Sequence, residues 1–92
     1  DQTTKIKGMF VRPEQVAAFV ARHPEVARAR VVAERIDEMD AMTVQVETRA
    51  ANPALYEGTV MDVLKLRGKV EIVPPGSLPN DGKVIEDRRR YD

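Results

Sequence analysis

The stretch that decides the fold is residues 42–48, which read MTVQVET. Every second position from Met42 to Val46 is apolar and the positions between are polar, the pattern of a half-buried β-strand. Upstream, residues 26–34 alternate small apolar residues with arginine and glutamate, which predicts a second strand whose polar face is rich in arginine. A polar loop joins the two stretches, so we predict that they pair as a hairpin.

Two helices are predicted on either side of this hairpin. Pro13 suits a first helical position, and apolar residues follow it at helical spacing, which predicts a helix over residues 13–22. Pro53 opens a second amphipathic stretch that we expect to end at Gly68, because glycine favours the position after a helix.

Short extended segments complete the domain. Residues 4–11 predict a small hairpin with its turn at Gly8, residues 69–72 predict one more strand, and a long polar tail follows. The order is hairpin, helix, strand, strand, helix, strand. It predicts an α+β fold in which two helices pack on one face of a small, mostly antiparallel sheet.

Composition restricts the possible functions. The 92 residues suffice for one domain with a modest core, and 15 basic residues balance 15 acidic ones, so no global field attracts nucleic acid or an anionic membrane. The absence of cysteine excludes disulfides and thiol catalysis and is compatible with a cytoplasmic location. There is no apolar run of membrane length. The abrupt start at Asp1 suggests an excised segment.

Several polar features are better explained by structure than by chemistry. We expect His23 to cap the first helix or lie on the surface, and we predict no metal site. The acidic residues 37–40 lack the glycine and terminal glutamate of a calcium loop and predict a solvated turn. Ser77 lacks the glycine elbow of a nucleophile, and the arginines at 88–90 are flanked by acids, which favours a solvated tail.

Two glycine-containing loops remain, one at residues 5–9 and one at Gly82-Lys83. A lysine at such a tip is commonly a solvated surface charge. The alternative is that the loop delivers a compact ammonium group to a phosphate or carboxylate in a site formed mostly by another part of the protein.

Both loops resemble motifs of one enzyme superfamily. Asp1 followed by TKIKG at 4–8 and by V-x-P-E-x-V at 11–16 resembles the hinge and hairpin of adenylate-forming enzymes. The sequence LPNDGK at 78–83 resembles the loop that carries their adenylation lysine. The resemblance covers essentially all 92 residues and is closest to the C-terminal domain of phenylacetate-CoA ligase-like proteins.

This resemblance implies that residues 1–92 form the single C-terminal lid domain of a larger acid-CoA ligase. ATP, coenzyme A and a carboxylic acid would be substrates, and an absent N-terminal domain would be the partner that binds the nucleotide and most of the Mg²⁺. The implied site residues are the catalytic Lys83 with Gly82 as loop support, the hinge residue Asp1, and the CoA-channel hairpin of Lys7, Gly8 and Met9. The isolated domain should be inactive and bind no cofactor.

Other interpretations stay open at this stage. The charged tail IEDRRRYD departs from the family, so an aryl or arylalkyl acid is an inference by analogy. A stand-alone ligand-binding or dimerising regulatory module of βαββαβ type could instead use Arg28 and Arg30 as a contact surface. We also expect the loop around Lys83 to be poorly held, because it has few apolar anchors.

Overall fold

The computed structural model describes residues 2–90, so the predicted hinge residue Asp1 lies outside the described residues. These residues form eight elements in the order hairpin, helix, hairpin, helix, strand, strand. They are β1 (Thr4–Ile6), β2 (Met9–Val11), α1 (Pro13–Ala21), β3 (Arg28–Ile36), β4 (Met39–Glu47), α2 (Ala54–Leu64), β5 (Lys69–Val73) and β6 (Ile85–Asp87).

The main sheet has the strand order β5-β4-β3-β6, and β1 and β2 form a separate hairpin. The predicted pairing of β3 with β4 is confirmed: the two strands are antiparallel, from Arg28 opposite Glu47 to Ile36 opposite Met39. The outer strands β5 and β6 both join in parallel, so the sheet is mixed rather than mostly antiparallel. The reason is that α2 forms a crossover from β4 to β5, the connection that parallel strands require.

The α+β class is confirmed, and the core lies where the alternation places it. The apolar side of β3 and β4 packs with one side of each helix, and α1 and α2 also contact each other. Tyr56 and Phe19 are its largest fully buried residues. The opposite face of β3 and β4 carries the predicted arginines, so the polar side of this hairpin is available to build a site.

The ends of two predicted elements need correction. Helix α2 ends at Leu64 rather than near Gly68, because Lys65 takes the left-handed conformation with φ 62° and caps the helix. Gly68 instead allows close packing: a Cβ there would lie 2.7 Å from Cε of Met42. The polar tail also contains the short strand β6, which alternation did not reveal.

His23 neither caps the helix with its ring nor lies on the surface. Its Nε2 lies 2.8 Å from Oγ1 of Thr59, and its ring packs edge-on against Tyr56 at 4.8 Å between centroids. The side chain is 16% exposed. His23 therefore joins α1 to α2, which corrects the prediction.

None of the helices within residues 2–90 is long and apolar enough to cross a membrane. In the same part of the chain, no group of three or more His, Cys, Asp or Glu residues could hold a metal ion.

Candidate functional site

Lys83 lies in the connection between β5 and β6, here called the Lys83 loop (residues 74–84). Gly82 adopts φ 75°, a conformation that favours glycine, and it turns the chain just before the lysine. The backbone N–H of Lys83 donates a hydrogen bond of 3.0 Å to Oδ1 of Asp81. Its ammonium is exposed, and within residues 2–90 no carboxylate lies at ion-pair distance from it. Lys83 is thus a charge held by its backbone and free at its end.

Two arginines of β3 hold the loop ahead of the lysine. Arg28 donates to the carbonyl oxygen of Leu78 at 2.7 Å. Arg30 donates to the carbonyl oxygen of Pro79 at 3.2 Å and pairs with Asp81 at 2.6 Å. The chain's own loop therefore covers Arg30 of the face that the regulatory-module interpretation uses, whereas the side chain of Arg28 remains 40% exposed.

A buried carboxylate completes these anchors. Glu47, at the end of β4, is 1% exposed, accepts the backbone N–H of Leu78 at 2.7 Å and pairs with Arg28 at 3.0 Å. Burial raises the pKa of Glu47, but the hydrogen bonds from Leu78 and Arg28 outweigh it and leave the pKa below its ordinary value. The loop therefore has more contacts than its sequence indicated: these polar anchors are joined by the buried side chain of Leu78. Whether the loop is ordered without a partner domain stays a prediction.

Asp81 connects these anchors to the lysine. The pKa of Asp81 is lowered, first by the hydrogen bond from the Lys83 backbone N–H and also by the Arg30 guanidinium, against an opposing effect of burial. One carboxylate therefore stays ionised while it contacts both a buried cation and the backbone of the candidate catalytic residue.

An open groove of about 540 Å³ runs beside Lys83, between α1 and the start of β3. Its α1 side is apolar, with Val16, Ala17 and Val20, and its other side carries Arg30 and Lys83. Strand β6 pairs with β3 only from Val31 onward, so the edge of β3 before that point is not covered by a strand.

The second predicted loop forms a tight turn between β1 and β2. Lys7 and Gly8 have φ values of 51° and 80°, and Met9 begins β2 with 42% exposure. The backbone N–H of Lys7 donates to Oδ2 of Asp40 at 2.9 Å. The three residues predicted for this hairpin are thus brought together, and its tip is tied to the start of β4.

Arg89 fastens this hairpin to the tail. Its side chain is 6% exposed and donates to the carbonyl oxygen of Lys5 at 2.7 Å, to Asp40 at 3.0 Å and to Asp87 at 2.9 Å. The pKa of Asp40 is lowered, mainly by the Lys7 backbone N–H and also by Arg89. The predictions of a solvated tail and a solvated acidic turn are therefore wrong for Arg89 and Asp40, which form one ion-pair network.

Strand β6 connects the two loops. At its start, Oε1 of Gln2 accepts the backbone N–H of Val84 at 2.7 Å, while Nε2 of Gln2 donates to the carbonyl oxygen of Gly82 at 3.0 Å. Just beyond its end, Arg89 contacts β1. Gln2, which the sequence did not single out, therefore ties the start of the chain to the Lys83 loop.

Comparison with solved structures finds the same fold in CoA ligases. A domain of phenylacetate-coenzyme A ligase from Bacteroides vulgatus is 21% identical, with a TM-score of 0.85, and the alignment covers 100% of this chain and 97% of that one. 2-Hydroxyisobutyryl-CoA ligase, solved with 2-HIB-AMP and CoA in the thioesterification state, is 25% identical, with a TM-score of 0.83 over 98% of this chain. No protein-family model and no curated protein sequence matches the chain.

The chain spans only 22% of the length of that second ligase. The amide bond synthetase McbA from Marinactinospora thermotolerans shows a weaker likeness: it is 22% identical, with a TM-score of 0.63 over 85% of this chain and 17% of its own. The fold is thus that of the C-terminal domains of adenylate-forming CoA ligases, which confirms the resemblance noted from the two motifs.

Proposed function

We propose that this chain is the mobile C-terminal domain of an ATP-dependent carboxylic acid-CoA ligase, and that Lys83 is its adenylation lysine. The observation that carries the proposal is the coincidence of two findings: a fold match to a CoA ligase domain over the whole chain, and an exposed lysine on an anchored loop that has no ion-pair partner within residues 2–90. A large N-terminal domain of the same polypeptide would bind the nucleotide and the acid.

In the first half-reaction, an oxygen of the substrate carboxylate attacks the α-phosphorus of ATP, and pyrophosphate leaves to give an acyl-adenylate. The Lys83 ammonium would stabilise the negative charge that develops on the carboxylate and α-phosphate oxygens. The four-carbon stem of Lys83 would reach the substrate while the backbone of the loop keeps its hydrogen bond from Arg30 of β3. We assign Mg²⁺ to the large domain, because that ion is commonly held with the nucleotide's phosphates.

In the second half-reaction, the domain would rotate about Asp1 and present its other edge. The CoA thiol sulfur attacks the acyl carbonyl carbon, and AMP leaves with the electron pair of the broken C–O bond. Lys7, Gly8 and Met9 would line the path of the thiol, since they form a tight turn whose three residues are exposed. One lid would thereby serve two reactions with two edges.

The proposal also covers the substrate and the location. An aryl or arylalkyl acid is supported only by the likeness to a phenylacetate-CoA ligase domain, since the acid pocket would belong to the large domain. Because ATP and coenzyme A are substrates, we place the enzyme in the cytoplasm. The 92-residue chain alone should be inactive, and acid-dependent AMP formation by the purified domain would refute this.

The test is acid-dependent ATP–pyrophosphate exchange by the full-length enzyme with a panel of aryl, arylalkyl and fatty acids. Loss of a charge-stabilising group should make Lys83→Ala slower by roughly 10²–10³-fold. Lys69→Ala is the control, because Lys69 is an exposed lysine on β5, away from the loop. Exchange that is equal in the two variants, or absent with every acid, would contradict the proposal.

A further inference from the structure

We propose that Arg30 and Asp81 are positioning residues that hold Lys83 in place for adenylation. This inference rests on the proposed function and extends it to residues that do not touch the substrate. Arg30 lies on the polar face of β3 and is 4% exposed, whereas Lys83 is on an exposed loop. A contact chain of two side chains joins them.

The first link is a shared carboxylate oxygen. Oδ1 of Asp81 accepts Nη2 of Arg30 at 2.6 Å and the backbone N–H of Lys83 at 3.0 Å. Asp81 therefore fixes the backbone of the lysine relative to a strand paired along nine residues with β4. Gly82, between Asp81 and Lys83, has more backbone freedom than other residues. The hydrogen bond from the Lys83 N–H to Asp81 therefore restrains the backbone at a point where glycine does not.

The second link is that Arg30 holds the chain on both sides of the lysine. It donates to the carbonyl oxygen of Pro79 and pairs with Asp81 before Lys83, and it pairs with Glu86 at 3.4 Å after it. A planar guanidinium can contact several acceptors at fixed angles, which a lysine cannot do. One buried side chain thus restrains both ends of the segment that carries the ammonium.

Position matters because the ammonium acts on charge that develops at defined atoms. Misplacement of a reacting or stabilising group by about 1 Å can cost on the order of 100-fold in rate. Loop conformations without the pair would leave the buried Arg30 charge without its closest partner, which is costly. The pair therefore favours one placement of the Lys83 backbone, from which the side chain extends, before any substrate binds.

Three variants separate the parts of this arrangement. Asp81→Ala removes the partner of Arg30 and the acceptor of the Lys83 N–H, Asp81→Asn keeps an acceptor oxygen without the charge, and Arg30→Lys keeps the charge without the planar fork. The matched control is Asp62→Ala, because Asp62 forms an ion pair of the same 2.6 Å length with Arg22 between the helices. Both of its members are more than half exposed.

The variants are compared in the full-length enzyme in two half-reactions. For Asp81→Ala we expect kcat of ATP–pyrophosphate exchange to fall by about 10- to 100-fold, while thioester formation from a supplied acyl-adenylate changes less than about twofold. Asp81→Asn and Arg30→Lys should show smaller losses of the same kind, and Asp62→Ala should resemble wild type. An equal loss of rate in both half-reactions, or an unchanged rate of ATP–pyrophosphate exchange in Asp81→Ala, would overturn the inference.

Amide hydrogen exchange at Lys83 in the same proteins separates this inference from the proposed function. The Lys83 amide should exchange about tenfold faster or more in Asp81→Ala than in Asp62→Ala, since Asp81→Ala removes the acceptor of the Lys83 N–H. If wild type adenylates no acid, the proposed function fails, yet the amide result still tests whether Asp81 holds the loop. Unchanged amide exchange would overturn the positioning role whatever the enzyme does.

Discussion

The substitution Glu47→Gln tests the anchor of the Lys83 loop. Glu47 is buried at the end of β4 and accepts two kinds of donor, the backbone N–H of Leu78 at 2.7 Å and the Arg28 guanidinium at 3.0 Å. Glutamine has nearly the same shape but carries no charge and has only one acceptor oxygen. Both of these donors contact the same carboxylate oxygen, Oε2, and Nε of Arg28 donates to the other, Oε1, at 3.4 Å. The substitution therefore removes charge assistance, and with the amide oxygen in the place of Oε2 it leaves Nε of Arg28 facing an NH₂ group.

The cost follows from these contacts. Hydrogen bonds to a charged group contribute about 1.5–3 kcal/mol, against about 0.5–1.5 kcal/mol for neutral ones. Arg28 is 40% exposed and can turn to water, which limits the penalty for its lost partner. We expect Glu47→Gln to lower the free energy of unfolding by about 1–2 kcal/mol, or Tm by about 5–15 °C for a domain of this size.

The assay is thermal unfolding of the 92-residue chain at neutral pH, followed by circular dichroism. Glu71→Gln is the control, since Glu71 is an exposed carboxylate on β5 that accepts a hydrogen bond from the side chain of Gln45. It should change the free energy of unfolding by less than about 0.5 kcal/mol. Equal Tm values for the two variants would refute the conclusion that Glu47 anchors the loop.

Three further outcomes are expected in the same assay. Gly58→Ala should stabilise the chain by about 0.4–1 kcal/mol, because Gly58 is exposed within α2 and a Cβ there meets no atom within 4 Å; a lower Tm would contradict this. Gly68→Ala should destabilise it by about 1–3 kcal/mol, because the new Cβ meets the side chain and the carbonyl oxygen of Met42; an unchanged Tm would show that the site has room. The hydrogen bond from Arg89 lowers the pKa of Asp87 in the folded chain. The ionised Asp87 therefore stabilises the fold above about pH 4, and this stabilisation is lost as pH falls through the lowered pKa. A Tm that stays constant down to about pH 2 would contradict this.

Much of the fold was predictable because strands and helices that bury one face repeat apolar residues at a regular spacing in the sequence. The alternation in β3 and β4 predicted both the hairpin and its arginine-rich face. Strand β6 was missed because it has three residues of which only Ile85 is apolar, and its parallel pairing depends on β3. The end of α2 was missed because Lys65 adopts a conformation that glycine more often supplies.

The candidate site was only partly predictable. Lys83 and the hairpin turn were found by resemblance to motifs. Of the residues that hold them, Arg89 and Asp40 were interpreted as solvated charges, and Asp81 and Glu47 were not singled out. Arg30 and Asp81 are 51 positions apart, and no local pattern reports such a contact. One signal was partly available. The sequence predicted that the two strands pair, and the structure's register places Arg28 opposite Glu47, where opposite charges form an ion pair across the sheet.

The most direct test of the central claim is to separate the two half-reactions in the Lys83→Ala variant of the full-length enzyme. The account predicts that acid-dependent ATP–pyrophosphate exchange falls by roughly 10²–10³-fold, while thioester formation from a supplied acyl-adenylate and CoA continues at nearly the wild-type rate. Exchange at the wild-type rate, or an equal loss of both half-reactions, would contradict the claim that Lys83 acts in adenylation.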